Sequence, residues 1–128
     1  MIYLDTSVVL AQLLAEDRVP PVELWREPLI TSRLLEHEVW TQLNNRDLTQ
    51  SHAQVVQELL GRLAFVELSP LVLRRAVGPF PVPVRTLDAM HLASLLFLVE
   101  RGQKVQLASY DKRMLAAAAK LQIECFEV

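Results

Sequence analysis

Short, almost wholly apolar segments alternate along this chain with longer stretches of helical periodicity. That alternation limits the fold more than any other feature. The strand candidates are residues 2–4, 29–31, 64–68, 105–108 and 123–126. Apolar runs of this length are expected where both faces of a sheet are covered. Helix candidates lie between them, at residues 8–15, 20–26, 32–46, from 49 or 51 to about 60, 70–77, 86–101 and 112–121. Leu35, Val39 and Leu43 recur at the spacing of one helix face. Gly61 and Gly102 stand where helices should stop. Strands alternating with helices imply right-handed crossovers and parallel pairing. The expected fold is one α/β domain over residues 1–128, a central parallel sheet of about five strands with helices on both faces.

Composition narrows what such a domain can do. A chain of 128 residues suits one domain, and 52% hydrophobic content predicts a well-filled core. No apolar run reaches the roughly 18–20 residues needed to span a bilayer, so no membrane association is expected. With the first strand candidate beginning at Ile2, no basic leader with a cleavage site is expected. Cys125 is the lone cysteine, which precludes an internal disulfide. It reads as a buried small hydrophobe, and the expected location is cytoplasmic. The formal net charge of −2 provides no global attraction to a polyanion. A nucleic acid would have to be held by a local basic patch or through cations. With three glycines, neither a P-loop nor a G-x-G-x-x-G is present.

The chemistry sits at the joints. Asp5 closes the first strand, Asp111 follows the strand at 105–108, and Asp88 falls in the first turn of the helix at 86–101. Ligands on parallel sheets bind beyond the carboxyl ends of the strands, where Asp5 and Asp111 should lie. The Pro79, Pro81 and Pro83 segment is rigid and should deliver Thr86 as a fixed N-cap. Each aspartate could simply cap a helix or complement its dipole, worth roughly 0.5–2 kcal/mol. Serine, threonine or asparagine would cap as well. Two unit charges ~4 Å apart repel by about 4 kcal/mol at an effective dielectric of 20, so gathering acids is costly unless a divalent cation reverses that sign. Glu36 and Glu38 lie about 200° apart on the helical wheel. Only one can face such a site, and the apolar stripe does not decide which.

Four segments together resemble the PIN domain family, and within it the VapC-type toxin ribonucleases. Ile2-Tyr3-Leu4-Asp5-Thr6-Ser7 is similar to the family's opening, an apolar run followed by aspartate and hydroxyl residues. Ser32 followed six residues later by Glu38 matches the family's serine–glutamate spacing, which selects Glu38 over Glu36. Arg85-Thr86-Leu87-Asp88-Ala89-Met90-His91-Leu92-Ala93 resembles the family's R-T-L-D-A-[LM]-H-L-A and is the most specific match. Ser109-Tyr110-Asp111 resembles the closing [TS]-x-D, with serine where threonine is common. The resemblance covers nearly the whole chain.

The resemblance implies that Asp5, Glu38, Asp88 and Asp111 surround one or two Mg²⁺ or Mn²⁺ ions. Asp5 and Asp88 would lie closest, and the reaction would be hydrolysis of an RNA phosphodiester. Thr6, Ser7 and Ser109 would orient carboxylates or waters. His91, one turn from Asp88, reads as a packed, hydrogen-bonded helix residue. Arg33, Arg46, Arg85, Lys112 and Arg113 are candidates for gripping RNA. Trp25, Trp40 and Tyr110 could stack on bases, although packing is the simpler role for the tryptophans. Expected partners are an antitoxin protein and a second copy of the chain. Leu10, Leu13, Leu14, Trp25 and Trp40 would line an apolar groove or dimer face, or else join the core. Competing readings are a processing nuclease without a toxin role, a non-catalytic binding module on the same fold, and a phosphatase with Asp5 as nucleophile. Ser7 stands where that last class usually has a second aspartate.

Overall fold

A computed structural model describes residues 1–128. The strands are β1 (Ile2–Leu4), β2 (Leu29–Ser32), β3 (Ala64–Val66) and β4 (Gln106–Ala108). The helices are α1 (Thr6–Leu14), α2 (Arg33–Asn45), α3 (Thr49–Leu60), α4 (Pro70–Ala76), α5 (Thr86–Val99) and α6 (Lys112–Lys120). A 3₁₀ turn over Val22–Arg26 replaces the short helix expected at 20–26. The sheet is parallel throughout, in the order β3-β2-β1-β4.

Four strands form where about five were expected. The fifth candidate contributes one isolated parallel bridge, Leu107 to Cys125. Its ladder is limited to Leu107 N–H donating to Glu124 and Phe126 N–H donating to Leu107. Ile123 turns into one core layer and Phe126 packs against the other. Cys125 between them is exposed, against the expectation that it is buried. Partial burial pushes its thiol pKa up, which opposes a nucleophilic thiolate.

Period-two alternation along the strands divides the core between the two sheet faces. Ile2, Leu4, Leu29 and Ala108 pack with Val9 of α1, Leu35, Val39 and Leu43 of α2 and Val56 and Leu59 of α3. Tyr3, Ile30 and Leu107 face the other way, onto Val72 of α4, Leu92 and Leu96 of α5 and Met114 and Ala117 of α6. Both sheet faces are therefore covered, which explains why the strands lack polar alternation. Leu13 is part of the first layer, and Leu10, Leu14, Trp25 and Trp40 pack partly buried against it. These residues pack against the core, and Leu10 and Trp40 also line surface clefts.

Helix ends differ from expectation by one or two residues. Helix α1 starts at Thr6, because the chain turns helical immediately after Asp5, whose carbonyl accepts from Val8 N–H at 3.1 Å. Arg85 rather than Thr86 is the N-cap of α5. Gly102, with φ of +82°, follows the end of α5 in a backbone region that favours glycine.

The topology also locates a crevice. β1 pairs with β2 on one side and β4 on the other. The helix after β1 lies on one face and the helix after β4 on the opposite face. The two connections diverge at the carboxyl ends of neighbouring strands, and ligand sites in open α/β sheets form at such switch points.

Candidate active site

At that crevice a cleft of 490 Å³ is lined by Asp5, Glu38, Asp88 and Asp111, together with Thr6, Ser7, Arg85 and His91. The four acids come from four places: the ends of β1 and β4, the second turn of α2 and the first turn of α5. Asp5 and Asp88 are buried, at 6% and 8% exposure.

Asp5 is placed by pairing. Leu4 is in register with Ala108, and Asp5 N–H donates to the Ala108 carbonyl at 3.0 Å. Although Asp5 occupies the N-cap position of α1, its side chain makes no capping bond. Its Oδ2 instead accepts from Ser7 Oγ at 2.7 Å and Ser109 Oγ at 2.8 Å. The same serine oxygens accept from the backbone beyond β4: Ser7 from Tyr110 N–H at 3.0 Å, Ser109 from Asp111 N–H at 2.9 Å. The joint after β4 is thus tied to the carboxylate after β1.

Glu38 enters from α2, whose start is set by the Ser32 side chain accepting from Leu34 N–H. Glu36 points elsewhere, to Arg33 at 3.1 Å. Glu38 Oε1 accepts from Thr6 Oγ1 at 2.7 Å and lies 2.6 Å from His91 Nε2. Burial raises the Glu38 pKa, but the hydrogen bond from His91, the His91 charge interaction and the Thr6 hydrogen bond outweigh it. The net shift is downward. An ionised Glu38 requires a donor at His91 Nε2. In the neutral imidazole, Nδ1 then accepts from the Tyr3 hydroxyl at 2.8 Å. Burial, helped by the Asp5 charge, drives the Tyr3 pKa upward and keeps that hydroxyl a donor. His91, 2% exposed, is the packed, hydrogen-bonded residue that its position in α5 implied. Tyr3 was missed in the sequence. Its signal was a phenol inside an otherwise aliphatic strand, since a buried Tyr O–H needs a partner.

Asp111 does cap its helix. Its Oδ1 accepts from Arg113 N–H at 2.8 Å and Met114 N–H at 3.3 Å. Its Oδ2 is 3.5 Å from Arg85 Nη2, while Arg85 Nε donates to Asp88 Oδ2 at 3.2 Å. One guanidinium therefore spans two of the acids.

The donor chemistry, carboxylate oxygens with hydroxyls behind them, suits a hard divalent cation. As the side chains stand, no three His, Cys, Asp or Glu groups converge closely enough to hold a metal ion. Glu38 is turned to His91, and Asp88 and Asp111 are turned to Arg85.

The basic residues scatter. Arg33 is engaged with Glu36 and Glu67 and stacked on Phe65 at 4.1 Å, outside the cleft. Lys112 and Arg113 are exposed beside Asp111. Arg46 lines a neighbouring cleft of 760 Å³ with Tyr110 and Arg18. Arg18, not singled out from the sequence, donates to the Tyr110 carbonyl at 3.1 Å and lies over its ring.

The PIN domain family model matches residues 2–121. Ribonuclease VapC46 of Mycobacterium tuberculosis (strain ATCC 25618 / H37Rv) is 33% identical over 124 residues, covering 94% of this chain and 92% of the relative. Ribonuclease VapC35 of Mycobacterium tuberculosis (strain CDC 1551 / Oshkosh) is 30% identical over 129 residues, covering 96% and 93%. No solved structure gives a significant match.

Proposed function

Because this chain belongs to the PIN domain family, we propose that it is a metal-dependent ribonuclease hydrolysing RNA phosphodiester bonds, and the toxin of a type II toxin–antitoxin pair. One observation carries the reading: carboxylates from four separate elements line one cleft at the sheet's switch point, two of them buried. The ribonuclease names of the two relatives support it.

In this reading Asp5 and Asp88 hold Mg²⁺ or Mn²⁺, with Glu38 and Asp111 completing the acidic wall. The ion, when bound, lowers the pKa of a coordinated water and neutralises charge on the scissile phosphate. The chain's own groups orient the site. Ser7 and Ser109 fix one oxygen of Asp5 and leave Oδ1 without a protein donor. Thr6 and His91 favour the ionised Glu38. Asp111 is locked by its helix on one side and presents Oδ2 on the other. Lys112 and Arg113 stand next to Asp111 as phosphate contacts.

The toxin role brings a cytoplasmic location, a cognate antitoxin and self-association. No helix is long and apolar enough to cross a membrane. For a protein partner, a groove of 390 Å³ lined by Leu73, Val77, Phe80, Val84 and Met90 supplies apolar surface.

The deciding experiment incubates purified chain with single-stranded RNA. Cleavage is expected with Mg²⁺ or Mn²⁺ and not in EDTA. Asp5→Asn and Asp88→Asn should each lower it by at least about a hundredfold while the circular dichroism spectrum is kept. Full activity of both variants, or undiminished cleavage in EDTA, rules the mechanism out.

A further inference from the structure

Asp88 and Asp111 lie on different helices, α5 and α6, and a single side chain joins them. Arg85 reaches Asp88 Oδ2 through Nε at 3.2 Å and Asp111 Oδ2 through Nη2 at 3.5 Å. The three side chains differ in environment. The Asp88 side chain is 12% exposed and that of Asp111 24%, whereas that of Arg85 is 65% exposed. A carboxylate withdrawn from water needs a counter-charge. A guanidinium already mostly in solvent loses little on leaving, because exposed ion pairs contribute at most about 1 kcal/mol.

Arg85 is also tethered. It occupies the N-cap of α5, three residues before Asp88, so it is never far from this carboxylate. Arg85 sits on Oδ2 of both Asp88 and Asp111, so a divalent cation drawing on these two carboxylates would meet its positive charge there, since both are hard, charge-driven partners of a carboxylate.

The geometry points to Arg85 as a built-in counter-ion of the acidic cleft that a divalent cation must displace. This inference rests on the metal-binding reading given above. With Arg85 inward, the cleft neutralises itself and Asp88 and Asp111 are held on one guanidinium. With a cation bound, Arg85 is released to the rim. Cation affinity is reduced by the fraction of molecules that hold Arg85 inward, so weakening the Arg85 contact strengthens cation binding by at most the same factor. This assigns Arg85 a different role from the RNA-gripping one expected from its charge.

The test is calorimetric titration of the purified full chain with MnCl₂, comparing wild type with Arg85→Gln, Arg85→Lys and Arg33→Gln. The last removes the same charge away from the cleft. Arg85→Gln should bind Mn²⁺ about three- to tenfold more tightly than wild type, because the two modest contacts of a mostly exposed guanidinium with Asp88 and Asp111 are lost. Arg85→Lys, which keeps the charge but not the two-armed contact, should fall between. Arg33→Gln should match wild type. Binding by Arg85→Gln alone would support the inference most strongly. If all four proteins bind with equal affinity, or Arg85→Gln and Arg33→Gln tighten equally, Arg85 does not compete and the metal site itself stands. Weaker binding by Arg85→Gln also overturns the competition. If none binds at millimolar Mn²⁺, the metal reading falls and the inference with it. A readout independent of variants is the Arg85 Nε–H resonance. It should move toward that of free arginine on Mg²⁺ titration, and a fixed resonance at saturating Mg²⁺ contradicts displacement.

Discussion

Glu38 illustrates how much one side chain depends on its neighbours. Its Oε1 is shared between Thr6 and His91, and His91 is itself held by Tyr3, so three elements of the fold converge on one oxygen. The resulting pKa lies below the ordinary 4.5. The sign for stability follows by linkage. A carboxylate with a depressed folded pKa contributes stability that is complete above its unfolded value, here near 4.5, and lost as pH falls through the lower folded value. Replacing Thr6 by Val removes one donor and should shift the Glu38 titration upward, followed by NMR of its carboxyl carbon. The acid limb of the unfolding curve should move to higher pH. An unchanged Glu38 titration in that variant would mean that Thr6 does not set its charge.

Helix α6 separates capping from chemistry. Asp111 Oδ1 is committed to the backbone of Arg113 and Met114, a role that asparagine can also fill. Asp111→Ala should therefore cost roughly 1–2 kcal/mol in urea unfolding, and Asp111→Asn only a few tenths. Both should lose RNA cleavage if Oδ2 belongs to the proposed site. An Asp111→Asn enzyme with undiminished cleavage would reduce Asp111 to a cap. Asp5 is the converse case: it stands at the same kind of joint, yet its side chain leaves the helix end alone and takes two serine donors. Aspartates at equivalent sequence positions thus differ in whether the side chain caps its helix, because Ser7 of α1 and Ser109 beyond β4 engage the carboxylate of Asp5.

Across the molecule, one apolar groove lined in part by exposed side chains lies between α4 and α5. Val77 is 86% exposed and Leu73 40%, and both line that groove. Exposed apolar patches of this kind mark protein contacts. Light scattering after size exclusion should accordingly give twice the 14.6 kDa chain mass; a strict monomer at high micromolar concentration would remove the dimer proposal.

The strand–helix order, the parallel sheet and the residues of the acidic joints were readable along the chain because they are local. Periodicity, chain-breaking residues and short motifs all act within a few positions. The choice of Glu38 over Glu36 came from the resemblance alone; in the structure Glu38 lines the cleft and Glu36 turns to Arg33. Other features depended on contacts between distant segments. The terminal segment makes one isolated bridge to Leu107 with two ladder hydrogen bonds, so it flanks β4 without becoming a fifth strand. Tyr3 became a support for His91, and Arg85 a bridge between two acids, through approaches no local pattern encodes. Backbone preference is decided by neighbours in sequence, whereas the partner of a charge or a hydroxyl is decided by what the folded chain brings within about 3 Å of it.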